Sequence, residues 1–344
     1  MTLATAQTDP AAGTSSTEAR EALRWRRWLA AFLLTTGLLG TFVYAGVVLV
    51  DPFSTGRFTL MQGVDVASRN ARLLKGGVAR DPRFDAAVFG SSTGFPLDPR
   101  RIGNGTGWAV AQLAIPASLP PSQLLVARTF QRYHSNRANL QIYTLDELWC
   151  RPGDPAAGAW GAFPEWVYES PDREYLSRIL FPEALTAAAR RLVIRAGLME
   201  APARADGFMT TNLTPVPRTK LAALVRPSAN PAPDNRFPAL ELLAAHIAAL
   251  PADSRLAFAF MPPYVNMLPV AGSPAEARLQ ACKARAREIA GLRPNTAWLD
   301  LMTENALTTN AMNYYDEVHT TPAAADEIAA AIVGVLKEKD LVKR

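Results

Sequence analysis

The sequence predicts an α/β fold: a three-layer α/β/α domain on a parallel sheet, preceded by a single transmembrane helix. Short apolar runs bounded by turn residues alternate with stretches whose apolar residues recur every three or four positions, the pattern of strand–helix–strand units. An uncharged segment near the N-terminus supplies the membrane helix. At 344 residues with 49% hydrophobic side chains, the chain can bury a substantial core, which excludes a wholly disordered protein.

Residues 1–28 are read as a cytoplasmic tail. The first nineteen, rich in Ala, Thr, Ser and Gly, show no apolar period and are expected to be disordered. Leu29 to Val50 carries no charge, and roughly twenty such residues match the length of helix that crosses the hydrocarbon core. A cleavable signal has a shorter apolar region followed by a small-residue site. Here the run continues through Val47-Val48-Leu49-Val50 to Asp51-Pro52, so an uncleaved anchor at 29–50 is favoured. Arg24, Arg26 and Arg27, with Trp25 and Trp28, put basic charge and interfacial aromatics before it. The positive-inside tendency then keeps the N-terminus in the cytoplasm and everything after Val50 outside. Much of the basic character behind the net charge of +5 belongs to this membrane signal. The other basic residues are dispersed, as at Arg100-Arg101 and Arg190-Arg191, and form no aromatic-interleaved stripe for nucleic acid.

Residues 51–84 are expected to link the anchor to the domain at 85–340. Strands are predicted at Ala86 to Gly90, Trp108 to Ile115, Leu140 to Leu145, Leu256 to Met261 and Trp298 to Leu301. Helices are predicted near Ser122 to Tyr133, Phe237 to Leu250 and Pro274 to Leu292. A last helix, Thr321 to Leu341, opens with Thr321 as N-cap and Pro322 at the first helical position. From about 151 to 235 the alternation lapses into Pro, Ala, Gly and aromatics such as Trp160, Phe163, Trp166 and Tyr168, with one helix-like piece around Pro182 to Met199. This reads as an insertion: a lid, a partner surface, or aromatics packed on the core. Cys150 and Cys282 are read as structural. Both fall on the outer side, where one disulfide would persist, and sequence alone does not establish the bond. Nothing in the sequence calls for a cofactor or a metal.

Ligands of parallel sheets sit beyond the carboxyl ends of the strands. The first strand runs there into Gly90-Ser91-Ser92-Thr93, which alone is an ordinary turn. Asp316-Glu317-Val318-His319, just before the last helix, says more, because the chain has only three histidines. His134 is expected to face solvent at a helix end, and His246 to be a hydrogen-bonded, partly buried core residue. Only His319 has an Asp three residues before it. A serine hydroxyl becomes a nucleophile when an imidazole takes its proton, and a carboxylate on the far ring nitrogen fixes the tautomer. Ser92, His319 and Asp316 are therefore the candidate nucleophile, base and orienting acid.

At four places the chain resembles the SGNH (GDSL-like) hydrolase superfamily, particularly its membrane-anchored members related to envelope-polymer acyltransferases and esterases. These are Val88-Phe89-Gly90-Ser91-Ser92-Thr93, with Ser91 where the family often has Asp; Gln112-Leu113-Ala114-Ile115-Pro116-Ala117-Ser118; Met261-Pro262-Pro263-Tyr264; and Tyr315-Asp316-Glu317-Val318-His319. The resemblance covers most of 84–340. It implies a flavodoxin-like sheet and acyl transfer through Ser92 to water or to a sugar hydroxyl, on an acylated envelope or exported polysaccharide. It also implies a place in the bacterial inner membrane with the domain periplasmic, alongside an envelope-biosynthesis membrane partner. The family's oxyanion hole combines the nucleophile's own N–H, a second-block Gly and a third-block Asn. Here Ala117 holds the Gly position, and the strand from Leu140 leads to Thr144-Leu145-Asp146-Glu147 with no Asn, Asp146 being read as a polar residue closing the strand. Ser92, Ala117 and the side chain of Gln112 are the oxyanion candidates, with Thr93 as a further donor.

Overall fold

The computed structural model describes residues 11–135, 139–158, 161–210, 213–229 and 235–343, with the side chains of 11–17 set aside. Residues 1–10 and Trp160 lie outside the described residues. Helix α1 runs from Ala11 to Val50. Its first turns, from Ala11 to Ala19, occupy part of the expected disordered tail, continuous with the Arg- and Ala-containing helix that follows. Within α1, Glu18–Val50 is long and apolar enough to cross a membrane.

The segment 51–84, expected as a linker, is instead built into the core. Asp51, Phe53 and Thr55 are buried, and Asp51 accepts hydrogen bonds from the Thr55 N–H and hydroxyl and from the Gly56 N–H. Helix α2 (Ala71–Val78) follows, capped by the Asn70 side chain. Five strands then form one parallel sheet: β1 (Ala86–Phe89), β2 (Val110–Gln112), β3 (Leu140–Leu145), β4 (Arg255–Phe260) and β5 (Thr296–Asp300). Their order is β2-β1-β3-β4-β5. Chain direction across the sheet reverses between β1 and β3, where such sheets bind their ligands.

Connecting helices are α3 (Pro99–Thr106), α4 (Pro120–Tyr133), α5 (Glu165–Tyr168), α6 (Asp172–Arg178), α7 (Pro182–Arg195), α8 (Arg218–Ala222), α9 (Pro238–Ala248), α10 (Pro274–Gly291), α11 (Ala306–Thr309) and α12 (Pro322–Glu338). Successive strand residues point to opposite faces, and the core divides accordingly. Phe89, Tyr143, Leu145, Phe258 and Phe260 join the helices α2, α4, α9 and α10 on one face. Val88, Ile142, Ala257 and Ala259 join α3 and α12 on the other. With both faces covered, every residue of β1 and β3 is buried.

The insertion between β3 and β4 contains α5 to α8. Its aromatics pack inward: Trp166 meets Phe53, Tyr175 and Phe181 at ring separations of 5.8–6.0 Å. Helices α6 and α7 lie against the carboxyl end of α1, where the Tyr44 hydroxyl donates to the Leu176 carbonyl at 2.8 Å. Arg191 of α7 is wholly buried. It donates to the Val50 and Gly63 carbonyls at 2.7 and 2.9 Å, to the Asp51 carbonyl, and to the Asp65 carboxylate at 2.9 Å. It thus satisfies carbonyls that the end of α1 leaves open. Val47 and Val48 belong to the domain's own core. Cys150, in the short 3-10 turn after β3, is disulfide-bonded to Cys282 of α10. His134, expected at the surface, is fully buried, with its ring nitrogens on the Phe130 and Asp81 carbonyls. His246 is buried as expected, paired with the Tyr143 hydroxyl at 2.8 Å, and burial lowers its pKa to about 4.

Candidate active site

The turn Gly90–Thr93 leaves the carboxyl end of β1 and is pressed against β3. A Cβ on Gly90 would stand 1.8 Å from the Thr144 Oγ1, and one on Gly94 2.2 Å, so only glycine fits at either position. Thr144 is itself fixed by donating to the Phe89 carbonyl at 2.9 Å. Ser91 is buried, and its hydroxyl donates to the Asp146 carboxylate at the end of β3. The same carboxylate accepts from Leu148 N–H at 3.0 Å and, more weakly, from Thr93 Oγ1 at 3.4 Å. Burial raises the pKa of Asp146, while Ser91 and Leu148 oppose the rise. Ser92 is partly exposed, between these two buried or braced neighbours.

The second wall comes from the loop after β2. The Ile115 N–H donates to the Gly90 carbonyl at 3.0 Å, and the Ser118 hydroxyl lies 3.3 Å from that carbonyl while donating to Ile115 at 2.7 Å. The loop is thereby pinned two residues before Ser92. Ala117 stands at its exposed tip with φ 55°, the left-handed conformation that glycine adopts freely. This backbone shape explains why a Gly is expected there, and Ala117 keeps the amide in place. Among the described residues, neither the Ser92 nor the Ala117 N–H donates to a backbone or side-chain acceptor. Both suit oxyanion donors.

Gln112 does not. Its amide nitrogen donates to the Gly94, Phe95 and Leu97 carbonyls at 3.0, 3.3 and 2.9 Å, and its oxygen accepts from Ala114 N–H at 2.7 Å. Fully buried and fully used, it braces the loop that follows Ser92 and has no donor left for an oxyanion. The oxyanion assignment is corrected to exclude it.

The third wall is Tyr314–His319. Asp316 Oδ2 accepts from His319 Nδ1 at 2.6 Å, and Oδ1 accepts from the N–H groups of Val318 and His319 at 3.0 and 2.8 Å. Burial opposes ionisation of Asp316, but these bonds outweigh it and hold its carboxyl below the usual carboxylate range. With Nδ1–H committed to Asp316, the lone pair of the neutral ring sits on Nε2, the form a general base needs. The loop is held from outside: Tyr264 N–H donates to the Glu317 carbonyl at 2.9 Å and Val216 N–H to Tyr315 at 2.7 Å. Arg218 of α8 donates to the carbonyls of Tyr314, at 2.7 Å, and Ala311. The later half of the insertion is therefore a brace for the histidine loop.

Two parallel helices bring these walls to one end of the sheet. Helix α3 begins after the Ser92 loop and α12 just after His319, and the two pack side by side on the same sheet face. Arg101 pairs with Asp326 at 2.9 Å, and Gly105 abuts Val333 further along, so the helices run in the same direction. Their N-termini, with Ser92 and His319 just ahead, lie at the carboxyl edge of the strands. Among the described residues no hydrogen bond joins the Ser92 hydroxyl to the His319 ring; such contacts commonly tighten only when substrate binds.

The chain matches no family model and no curated protein. Among the described residues, no group of three His, Cys, Asp or Glu side chains could hold a metal ion. Asp146, expected only to close its strand, is the hydrogen-bond partner of Ser91. The signal was available: a polar residue at the carboxyl end of the strand that neighbours β1 in such a sheet.

Proposed function

We propose that this protein is a membrane-anchored serine ester hydrolase or O-acyltransferase working outside the cytoplasm. The observation that carries the reading is the Asp316–His319 pair, bonded at 2.6 Å with Nε2 uncommitted, at the same sheet edge as the partly exposed Ser92. In this mechanism His319 Nε2 takes the Ser92 proton as Oγ attacks an acyl carbonyl. Asp316 stabilises the imidazolium, and the Ser92 and Ala117 N–H groups receive the oxyanion. The intermediate collapses as the alkoxy group leaves with the proton from His319, giving an acyl-serine. Water then releases the acid, whereas a sugar hydroxyl takes the acyl group, and exclusion of water from the cleft decides between them.

The Arg24–Trp28 cluster and the Cys150–Cys282 disulfide both favour a domain on the oxidising side of the membrane. The resemblance of the four sequence blocks adds the bacterial inner membrane, a periplasmic domain, an acylated envelope or exported polysaccharide as substrate, and a membrane partner in envelope biosynthesis. A second reading rests on Asp146. A carboxylate at the family's Asn position supplies no donor when ionised, which suits a non-catalytic binding or assembly component.

The test uses the full chain in detergent, with a fluorophosphonate probe and p-nitrophenyl acetate. Labelling that vanishes in Ser92→Ala and falls strongly in His319→Ala supports catalysis. No labelling of the native protein, or labelling that persists in both variants, supports the binding component.

A further inference from the structure

We infer that α7 and the turn after it rest on the lipid surface at the carboxyl end of α1, so that the domain lies on the bilayer instead of hanging from a tether. The inference rests on α1 spanning the membrane and goes beyond the proposed activity.

The depth of contact comes from lengths. Leu29–Val50 extends about 33 Å at about 1.5 Å per residue, against roughly 30 Å of hydrocarbon. The distal boundary then falls near Leu49, which puts Tyr44 about 8 Å inside it. Yet Tyr44 is bonded to Leu176 of α6, and Val47 and Val48 are buried against the domain. The elements packed there must reach the interfacial layer.

The exposed surface of those elements suits it. Helix α7 buries Ala184, Ala187, Ala188 and Arg191 and turns Leu185, Ala189 and Leu192 outward, at spacings of four and three residues. Leu185 and Leu192 are 40% and 51% exposed. Most of the nearby charges are engaged elsewhere: Glu183 accepts from Ser68 and lies 3.8 Å from Arg190, Arg191 is buried on α1, and Arg195 bonds Asp65 and the Gln62 carbonyl, while Glu200 at the end of the strip is exposed. After the helix, Gly197 turns at φ 71° and Leu198 N–H bonds the Val193 carbonyl, leaving Leu198 and Met199 exposed. Leu60 is exposed too, and its N–H is bonded to the Leu49 carbonyl at the exit of α1. On α6, Arg173 stands exposed, and Arg178 is exposed while pairing with Glu174 at 3.1 Å; long side chains of this kind extend to a polar interface over an apolar surface. An apolar strip continuous with a membrane helix and flanked by cations fits a lipid surface.

The described cysteines are joined, so single thiols can be introduced into the full chain. Leu185→Cys, Leu192→Cys and Met199→Cys are labelled with nitrobenzoxadiazole in phosphatidylcholine/phosphatidylglycerol proteoliposomes. Val225→Cys, 90% exposed, is the water control and Leu34→Cys the α1 control. Quenching by doxyl-labelled lipid several-fold stronger at 185, 192 and 199 than at 225, with protection from aqueous iodide, is the expected result. Iodide quenching at 192 equal to that at 225, with Leu34→Cys in lipid, overturns the inference alone. Leu34→Cys outside lipid overturns the spanning of α1 and this inference with it. Shielding at 192 in native membranes but not in lipid-only vesicles assigns the strip to a protein partner and overturns lipid contact.

Discussion

Reduction of the Cys150–Cys282 disulfide should destabilise the domain by an amount set by the loop it closes. The cysteines are 132 residues apart. The chain-entropy relation for a loop of that size gives about 5 kcal/mol at 25 °C, at the upper end of what native disulfides contribute. The loop holds the insertion, α9 and β4, so the bond ties the end of β3, four residues past Asp146, to α10 on the far side of the sequence. The assay is guanidinium unfolding of the full chain in detergent, with and without a phosphine reductant, followed by tryptophan fluorescence. Intact mass after maleimide treatment reports the free thiols. Two maleimide adducts in unreduced protein would refute the bond. An unchanged midpoint after full reduction would refute the argument that loop closure limits the unfolded chain.

Asp316→Asn should lower turnover by up to about 10⁴-fold by releasing His319 into the wrong tautomer, read as kcat on p-nitrophenyl acetate. Because the folded-state pKa of Asp316 is depressed, its contribution to stability is present above the unfolded value of about 3.9 and is lost as pH falls through the folded value; the loss should be missing from the acid limb of the variant's unfolding curve. Arg191→Met leaves the buried Asp51 without its cation and the Val50, Asp51 and Gly63 carbonyls without their donor, while Asp65 keeps Arg195, and should cost about 3–5 kcal/mol in the same unfolding assay; a cost under about 1 kcal/mol contradicts the role given to this residue. Asp146→Asn should raise turnover toward the roughly hundredfold worth of one side-chain oxyanion donor. It should also leave the fold at least as stable at pH 7, since the raised pKa makes ionised Asp146 a cost that disappears in acid. Equal or lower turnover in this variant argues against an oxyanion position there.

The sheet was legible because its signals are local. Ala86–Phe89 and Leu140–Leu145 are short apolar runs ended by turn residues, and Thr321-Pro322 announces α12 without reference to anything distant. The Asp316–His319 bond was legible for the same reason, both partners sitting in one four-residue loop. What escaped the sequence depends on partners far along the chain. Phe53 looks like linker until Trp166 and Phe181 arrive to cover it. Gln112 looks free until the 94–97 loop folds over its amide. His134 looks solvated because its second carbonyl comes from Asp81, and Asp146 looks like a strand end because its partner hydroxyl belongs to β1's turn.

The glycines facing Thr144 make the serine turn and the histidine loop mechanically unequal. On the serine side, the backbone of Gly90 and Gly94 is pressed against the Thr144 side chain with no room for a Cβ, which leaves that turn little freedom to shift. The histidine side is a surface loop fastened by a few hydrogen bonds to Tyr264, Val216 and Arg218. Under the proposed function, accommodation of different acyl substrates falls to the histidine loop and to the 216–224 stretch that buttresses it.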